Sequence, residues 1–228
     1  MRAISPAISS TVLSTILTLC FFANSAIASP ASPVEGAEYK MLSTPQAVTA
    51  TGKKVEVIEF FMYHCPACNA LEPRLLEWVK KQGDHIVFRR IHLPHTGNKD
   101  PETHLFLALD AMDVEKDWHA KILNTWHVEH HQLLTDNDNI EWAVKNGFDK
   151  HKFMETYFSF SVMSKLQGSL RVAESYNVNS TPTLVIDGRY VTDPGAIQNS
   201  NPDIPGEDLD KAMLQVVDVL IQKAAASK

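Results

Sequence analysis

Cys65-Pro66-Ala67-Cys68 stands where a strand pattern gives way to a helix pattern, and that placement constrains the chain more than any other feature. Before it, Lys54 to Phe61 is dominated by β-branched and aromatic residues, as in a buried strand. From about Pro66 the apolar residues take up helical spacing through Leu71, Leu75, Leu76 and Val79, and the pattern ends at Gly83. Pro73 is expected to interrupt this helix, since it lacks the N–H for an i−4 bond, and to kink its axis. Ile86 to Leu93 reads as a second strand, which completes a βαβ unit. A cysteine at a helix N-terminus meets unpaired N–H groups and the positive end of the macrodipole, and both favour an anion. Such settings lower a thiol pKa from about 8.5 to between roughly 3.5 and 7.5. A stabilised thiolate stabilises the dithiol, so the disulfide becomes more oxidising and Cys65 a better leaving group. Cys65 is therefore expected to be exposed and attacked. Cys68, one turn on, is expected to be buried and to act as the resolving partner. Pro66 suits the first turn, where its missing N–H is not needed.

The sequence has three cysteines, and the third is expected to leave the mature protein. Arg2 is the only charge before Glu35, an apolar run follows from Val12 to Ala23, and Ala26-Ile27-Ala28 forms a small-x-small cleavage signature. That is the order of a secretory signal peptide, cut near Ala28. The apolar run is shorter than the roughly 20 residues a spanning helix needs. Leu19 stands before Cys20 where a lipoprotein signal has a small residue, so Cys20 is expected to depart with the signal. Losing Arg2 takes the formal charge from −6 to −7. The mature chain is then expected to be a soluble exported protein with one cysteine pair. Closing so short a loop makes a poor structural staple and a good reversible one. With 44% hydrophobic and 21% charged residues the chain can bury a core. Its acidic balance gives no electrostatic case for nucleic acid.

From about Pro101 to Val178 apolar residues recur at three and four, as in Leu105, Leu109 and Met112, then Trp118, Ile122 and Trp126. Asp138 and Gly147 punctuate the run, which reads as four or five packed helices. Strand signals return at Thr183 to Ile186 and Arg189 to Val191, joined by the hairpin dipeptide Asp187-Gly188. A last amphipathic helix runs from about Glu207 to Ala224, with Leu209, Met213, Val216, Val217 and Leu220 on one side. If the two β pieces share one sheet, the helical block is an insertion. His127, His130 and His131 read as a solvated helix face, and Trp118, Trp126 and Trp142 as core of the block. Half a zinc site is the other use of the two cysteines, with His64, His92 or His95 completing it. No second CxxC or paired-histidine motif stands at finger spacing, so redox chemistry without a metal is the preferred reading.

Glu59-Phe60-Phe61-Met62-Tyr63-His64-Cys65-Pro66-Ala67-Cys68 resembles the active-site segment of the DsbA family of bacterial periplasmic disulfide oxidases. The resemblance runs from about Val34 to the last helix. It is specific around the cysteines, good at Ser180-Thr181-Pro182-Thr183, and a matter of pattern in the helical block. It implies an α/β thioredoxin fold with an inserted all-helical domain. The expected division is a signal peptide over 1–28, thioredoxin-domain parts over 29–98 and 179–228, and the insert over 99–178. It also implies a cis Thr181-Pro182 peptide facing the cysteines, with the Thr181 backbone pairing to a client peptide. Glu59 matches the family's buried acid and Arg90 its basic partner, either to move a proton to or from Cys68 or as a structural ion pair. One position departs from the family: Pro66-Ala67 stands where the well-known dipeptide is Pro-His, and His64 is the candidate to replace the missing imidazole in part. His64, Pro66, Ala67, Glu59 and Arg90 are thus the expected modulators. The resemblance implies that the redox-active disulfide is the only cofactor. Unfolded or reduced exported proteins would be the clients and a DsbB-type membrane protein the reoxidant. A monomer is expected. Two alternatives stand beside this: a reductase or isomerase of different redox poise, and a non-catalytic peptide-binding or chaperone module. The chain lacks the separate N-terminal dimerisation domain of periplasmic isomerases, which places that reading second.

Overall fold

The computed structural model describes residues 29–228, so the signal-peptide reading lies outside the described residues. Strands β1 (Lys40–Met41), β2 (Val55–Phe61), β3 (Ile86–His92), β4 (Thr183–Ile186) and β5 (Tyr190–Thr192) form one sheet in the order β1-β5-β4-β2-β3. β2 pairs parallel with β3 and antiparallel with β4, so the N- and C-terminal β pieces meet on the central strand. The helical block between them is therefore inserted, as the resemblance implied.

β2 is buried along its whole length, and its period-two alternation divides the core. Val55 and Val57 pack with Leu71, Leu75 and Trp78 of α1 (Pro66–Gln82) and with Met213, Val217 and Leu220 of α8 (Leu209–Ala226). Ile58 and Phe60 face the other way, onto Ala173, Tyr176 and Val178. Each such fully buried side chain contributes about 1.5–3 kcal/mol of transfer free energy. Glu59 breaks the apolar alternation on the α1 side, at the level of the cysteines.

Five helices lie between β3 and β4: α2 (Pro101–Ala111), α3 (Glu115–His127), α4 (Asp136–Lys145), α5 (Lys150–Tyr157) and α6 (Phe160–Ser175). Local signals set their starts. Asp100 caps α2 ahead of Pro101, Thr135 and Asp138 form a capping box on α4, and Asp149 and Ser159 cap α5 and α6. The shared core of α2 to α5, Leu105, Leu109, Ile122, Trp142, Phe153 and Tyr157, continues into Phe61, Tyr63, Cys65 and Cys68. The insert is packed onto the cysteine segment. Among the described residues no helix is long and apolar enough to cross a membrane.

Some expectations needed correction. α1 continues as one helix across Pro73, which lies on its exposed face, so the proline does not interrupt it. β1, two residues long, lies before Lys54, where no strand was expected, and is too short to show alternation. A further helix, α7 (Pro194–Ser200), follows β5, and its signal was present in the Asp193 cap and Pro194. The hairpin at Asp187-Gly188 is as read: both residues have positive φ, 52° and 62°. A Cβ on Gly188 would come within 2.3 Å of the Gln46 carbonyl oxygen, so the segment before β2 also requires glycine there.

Candidate active site

Cys65 is the N-cap of α1, and its Sγ accepts the Cys68 backbone N–H at 3.4 Å. The sulfurs are unlinked, so this is the dithiol form. The Thr181 carbonyl oxygen lies 3.5 Å from the same Sγ, and the Thr181-Pro182 peptide is cis. The loop before β4 thus faces the cysteines although 116 residues separate Thr181 from Cys65. Cys68 is 2% exposed, as expected, but Cys65 is only 8% exposed and not the open thiol anticipated. The Thr181 segment and the core of the insert cover its flanks. Pro66 and Ala67 beside it are exposed.

The two thiols have opposite character. A hydrogen bond from the Cys68 thiol is the largest influence on Cys65; with contributions from Thr181 and the N–H groups of Cys68 and Ala67 it outweighs burial and brings the pKa down to about 5. Cys68 is pushed far up by that same hydrogen bond, then by burial and the Cys65 charge, with Glu59 adding to it. A folded-state pKa below the unfolded one stabilises the reduced protein above the unfolded thiol pKa, and that stability is lost as pH falls through about 5. Reduced protein is therefore expected to unfold at a higher denaturant concentration than oxidised protein at pH 7. The difference should shrink towards pH 4, as paired chemical denaturation curves will show.

Beneath Cys68 lies a buried polar chain. Arg90 Nε donates to Glu59 Oε2 at 2.9 Å, and Arg90 Nη2 donates to both Glu72 oxygens at 2.9 Å. His119 Nε2 stands 3.6 Å from Glu72 Oε2, and its Nδ1 is 2.8 Å from Glu115 Oε1. Burial raises the Glu59 pKa against the opposing charge of Arg90. The pairing of Glu59 with Arg90 was anticipated; Glu72, Glu115 and His119 were not. Glu72 had a signal, since it lies four residues after Cys68 on the buried face of α1.

A second cluster sits at His64. Its Nδ1 is 2.6 Å from Glu102 Oε2, and Glu102 is buried in the first turn of α2. The Glu102 hydrogen bond raises the His64 pKa against partial burial. The Tyr63 N–H donates to His92 Nε2 at 3.2 Å, and the other ring nitrogen of His92 is 2.8 Å from Thr103 Oγ1. Ligating atoms of His92, Asp100 and Glu102 lie within 4.8 Å of one another, a group that contains neither cysteine. Asp100 is committed to the N–H groups of His95, Thr96 and Thr103. His127 is not merely a solvated side chain: its Nε2 donates to the Tyr63 carbonyl at 2.9 Å, whereas His130 and His131 are exposed as read. Trp142 lies in the insert core and Trp118 and Trp126 pack against it, as read; the Trp126 ring also lies 5.9 Å from that of His64. Glu102 could not be found by spacing, since 38 residues separate it from His64.

A family model described as Thioredoxin matches residues 48–201. The chain is 38% identical to a thiol:disulfide interchange protein DsbA of Burkholderia cepacia, over 95% of this chain and 98% of the relative. It is 35% identical to DsbA of Pseudomonas aeruginosa strain PAO1, over 85% of this chain and 87% of the relative. The crystal structure of Pseudomonas aeruginosa DsbA superposes with a TM-score of 0.71 at 34% identity, covering 85% of this chain and 96% of that one. Reduced DsbA1 from Neisseria meningitidis gives 0.68 at 25% identity, covering 85% and 96%.

Proposed function

The chain belongs to the DsbA family of thiol:disulfide interchange proteins, and from that premise we propose that Cys65 and Cys68 are the redox pair through which it acts. It is a thiol:disulfide oxidoreductase with a thioredoxin fold and an inserted helical region. In the cycle, a client thiolate attacks Cys65 Sγ of the oxidised pair, the Cys65–Cys68 bond breaks, and Cys68 takes the electron pair and a proton. The client's second thiolate attacks the client sulfur of the mixed disulfide. A client disulfide forms, and Cys65 leaves as thiolate. Two electrons have moved from client to protein.

The observation that carries this reading is the placement of the sulfurs. Cys65 Sγ is at the helix N-cap, within reach of the Cys68 N–H and the Thr181 carbonyl, and Cys68 is buried below it, which makes the first acidic and the second not. The first leaves easily; the second holds its proton. Glu59 is the group assigned to accept and return that proton, with Arg90 holding it in place. Thr181 and Pro182 would offer backbone to an extended client, which favours breadth over side-chain selection. Clients would be unfolded or reduced exported proteins. A DsbB-type membrane protein would reoxidise the pair, which is itself the only redox group, with no added cofactor or metal. The site of action is the periplasm, after cleavage near Ala28, and the mature protein works as a soluble monomer that does not bind nucleic acid. The functional units are 29–98 with 179–228, and the insert 99–178.

Disulfide transfer tests the proposal. Oxidised protein mixed with a reduced, unfolded client should yield one client disulfide per chain reduced. Client binding with no change in thiol count would support the chaperone module instead. The names of the relatives do not favour that reading or the reductase reading.

A further inference from the structure

We propose that Glu102 of the inserted helices holds His64 as an imidazolium beside Cys65, and that this pair sets part of the oxidising strength of the Cys65–Cys68 disulfide. The inference rests on Cys65 being the attacked sulfur.

Glu102 is 3% exposed, and its Oε1 has no hydrogen-bond partner. A carboxylate in that position needs a cation or must protonate. His92 is the more distant candidate: its Nε2 accepts the Tyr63 N–H and lies 3.4 Å from Glu102 Oε2. His64 supplies it, through a 2.6 Å contact, slightly shorter than the roughly 2.7–2.9 Å of charge-assisted N–H···O bonds. His64 immediately precedes Cys65, and Pro66 and Ala67, which follow it, carry no charge. Arg90 is committed to Glu59 and Glu72. The cation nearest the thiolate in sequence is therefore fixed from outside the thioredoxin part of the chain.

Other groups around His64 act in the same direction or do not oppose it. Asp100, capping α2, and the Cys65 charge both favour the protonated ring. From the loop after β3 the His95 ring lies 5.1 Å away, and from α3 come the neutral Trp126 ring and His127, whose Nε2 is engaged by the Tyr63 carbonyl.

The test is the pH titration of Cys65 alkylation in the reduced mature protein, together with its equilibrium constant in glutathione buffers. For His64→Gln the Cys65 midpoint should rise by about one unit, and the equilibrium should move about tenfold towards the disulfide. Glu102→Gln should match the wild type at pH 5, where His64 is charged anyway. Above about pH 8 it should fall to the His64→Gln level, because the thiolate raises an imidazole that would titrate near 6.5 by about the same unit that the imidazolium lowers Cys65. His64→Lys, which restores a cation, should recover most of the wild-type equilibrium at both pH values. A purely structural role would give offsets that do not change with pH. Unchanged Cys65 titration in His64→Gln, or a Glu102→Gln offset independent of pH, would overturn the proposal. A failure of the underlying reading would look different, because the wild type itself would then transfer no disulfide.

Discussion

Cys65→Ser is expected to leave a folded protein that transfers no disulfide at all. Serine cannot form the S–S bond, so neither the oxidised pair nor the mixed disulfide exists, and turnover should drop to background. The substitution is well suited to the position, because Cys65 is an N-cap whose sulfur accepts the Cys68 N–H. Serine is among the preferred caps, and its hydroxyl can accept the same donor. The cap is therefore kept, but the stabilisation that the Cys65 thiolate gives the reduced wild type is lost. The variant should be less stable than reduced wild type at pH 7 and approach it towards pH 4. Thiol counting on a reduced client measures the first part and denaturant unfolding the second. Residual disulfide transfer by the serine variant would move the chemistry away from Cys65. A variant that lost transfer by unfolding would show it as a collapsed denaturation midpoint.

The largest effect on stability should come from Arg90→Met. The guanidinium is 5% exposed and lies between Glu59 and Glu72, whose side chains are 1% and 7% exposed. Removing it leaves two carboxylates together in a place where burial already raises the Glu59 pKa. Breaking a buried pair from one side costs about 3–5 kcal/mol. The sign of the pH dependence follows from Glu59. A carboxyl with a raised folded-state pKa destabilises its charged form, so the variant should be weakest above that pKa and recover as the medium becomes acidic. Adding Glu59→Gln and Glu72→Gln to Arg90→Met should return much of the loss, since no uncompensated charge then remains. Urea unfolding between pH 4 and 8 measures both effects. A cost under about 1 kcal/mol would mean that water reaches these carboxylates and the ion pair is not a structural element.

What could be read from the sequence depended on how far apart the partners lie. The strand–CxxC–helix unit, the Asp187-Gly188 hairpin and the last helix are local, and their periodicity and caps stand in contiguous residues. Joining β2 to β4 needed the resemblance, because nothing local records that Val57 pairs with Ile186. The same holds for Thr181 over Cys65. The insert's contribution to the site was hidden for this reason: Glu102, Glu115, His119 and His127 are ordinary residues of amphipathic helices until the fold brings them to the cysteine segment. Exposure of Cys65 was overestimated because a helix N-terminus says nothing about the loop that covers it.

The account turns on the disulfide being a strong oxidant without a histidine between its cysteines. The reduction potential of the mature protein, equilibrated in glutathione buffers at pH 7, tests that most directly. A Cys65 pKa near 5 with Cys68 held protonated stabilises the dithiol and predicts a potential above about −180 mV, towards the value of about −120 mV for which DsbA itself is the reference. A potential near the roughly −270 mV of thioredoxin would contradict the account and make the protein a reductase.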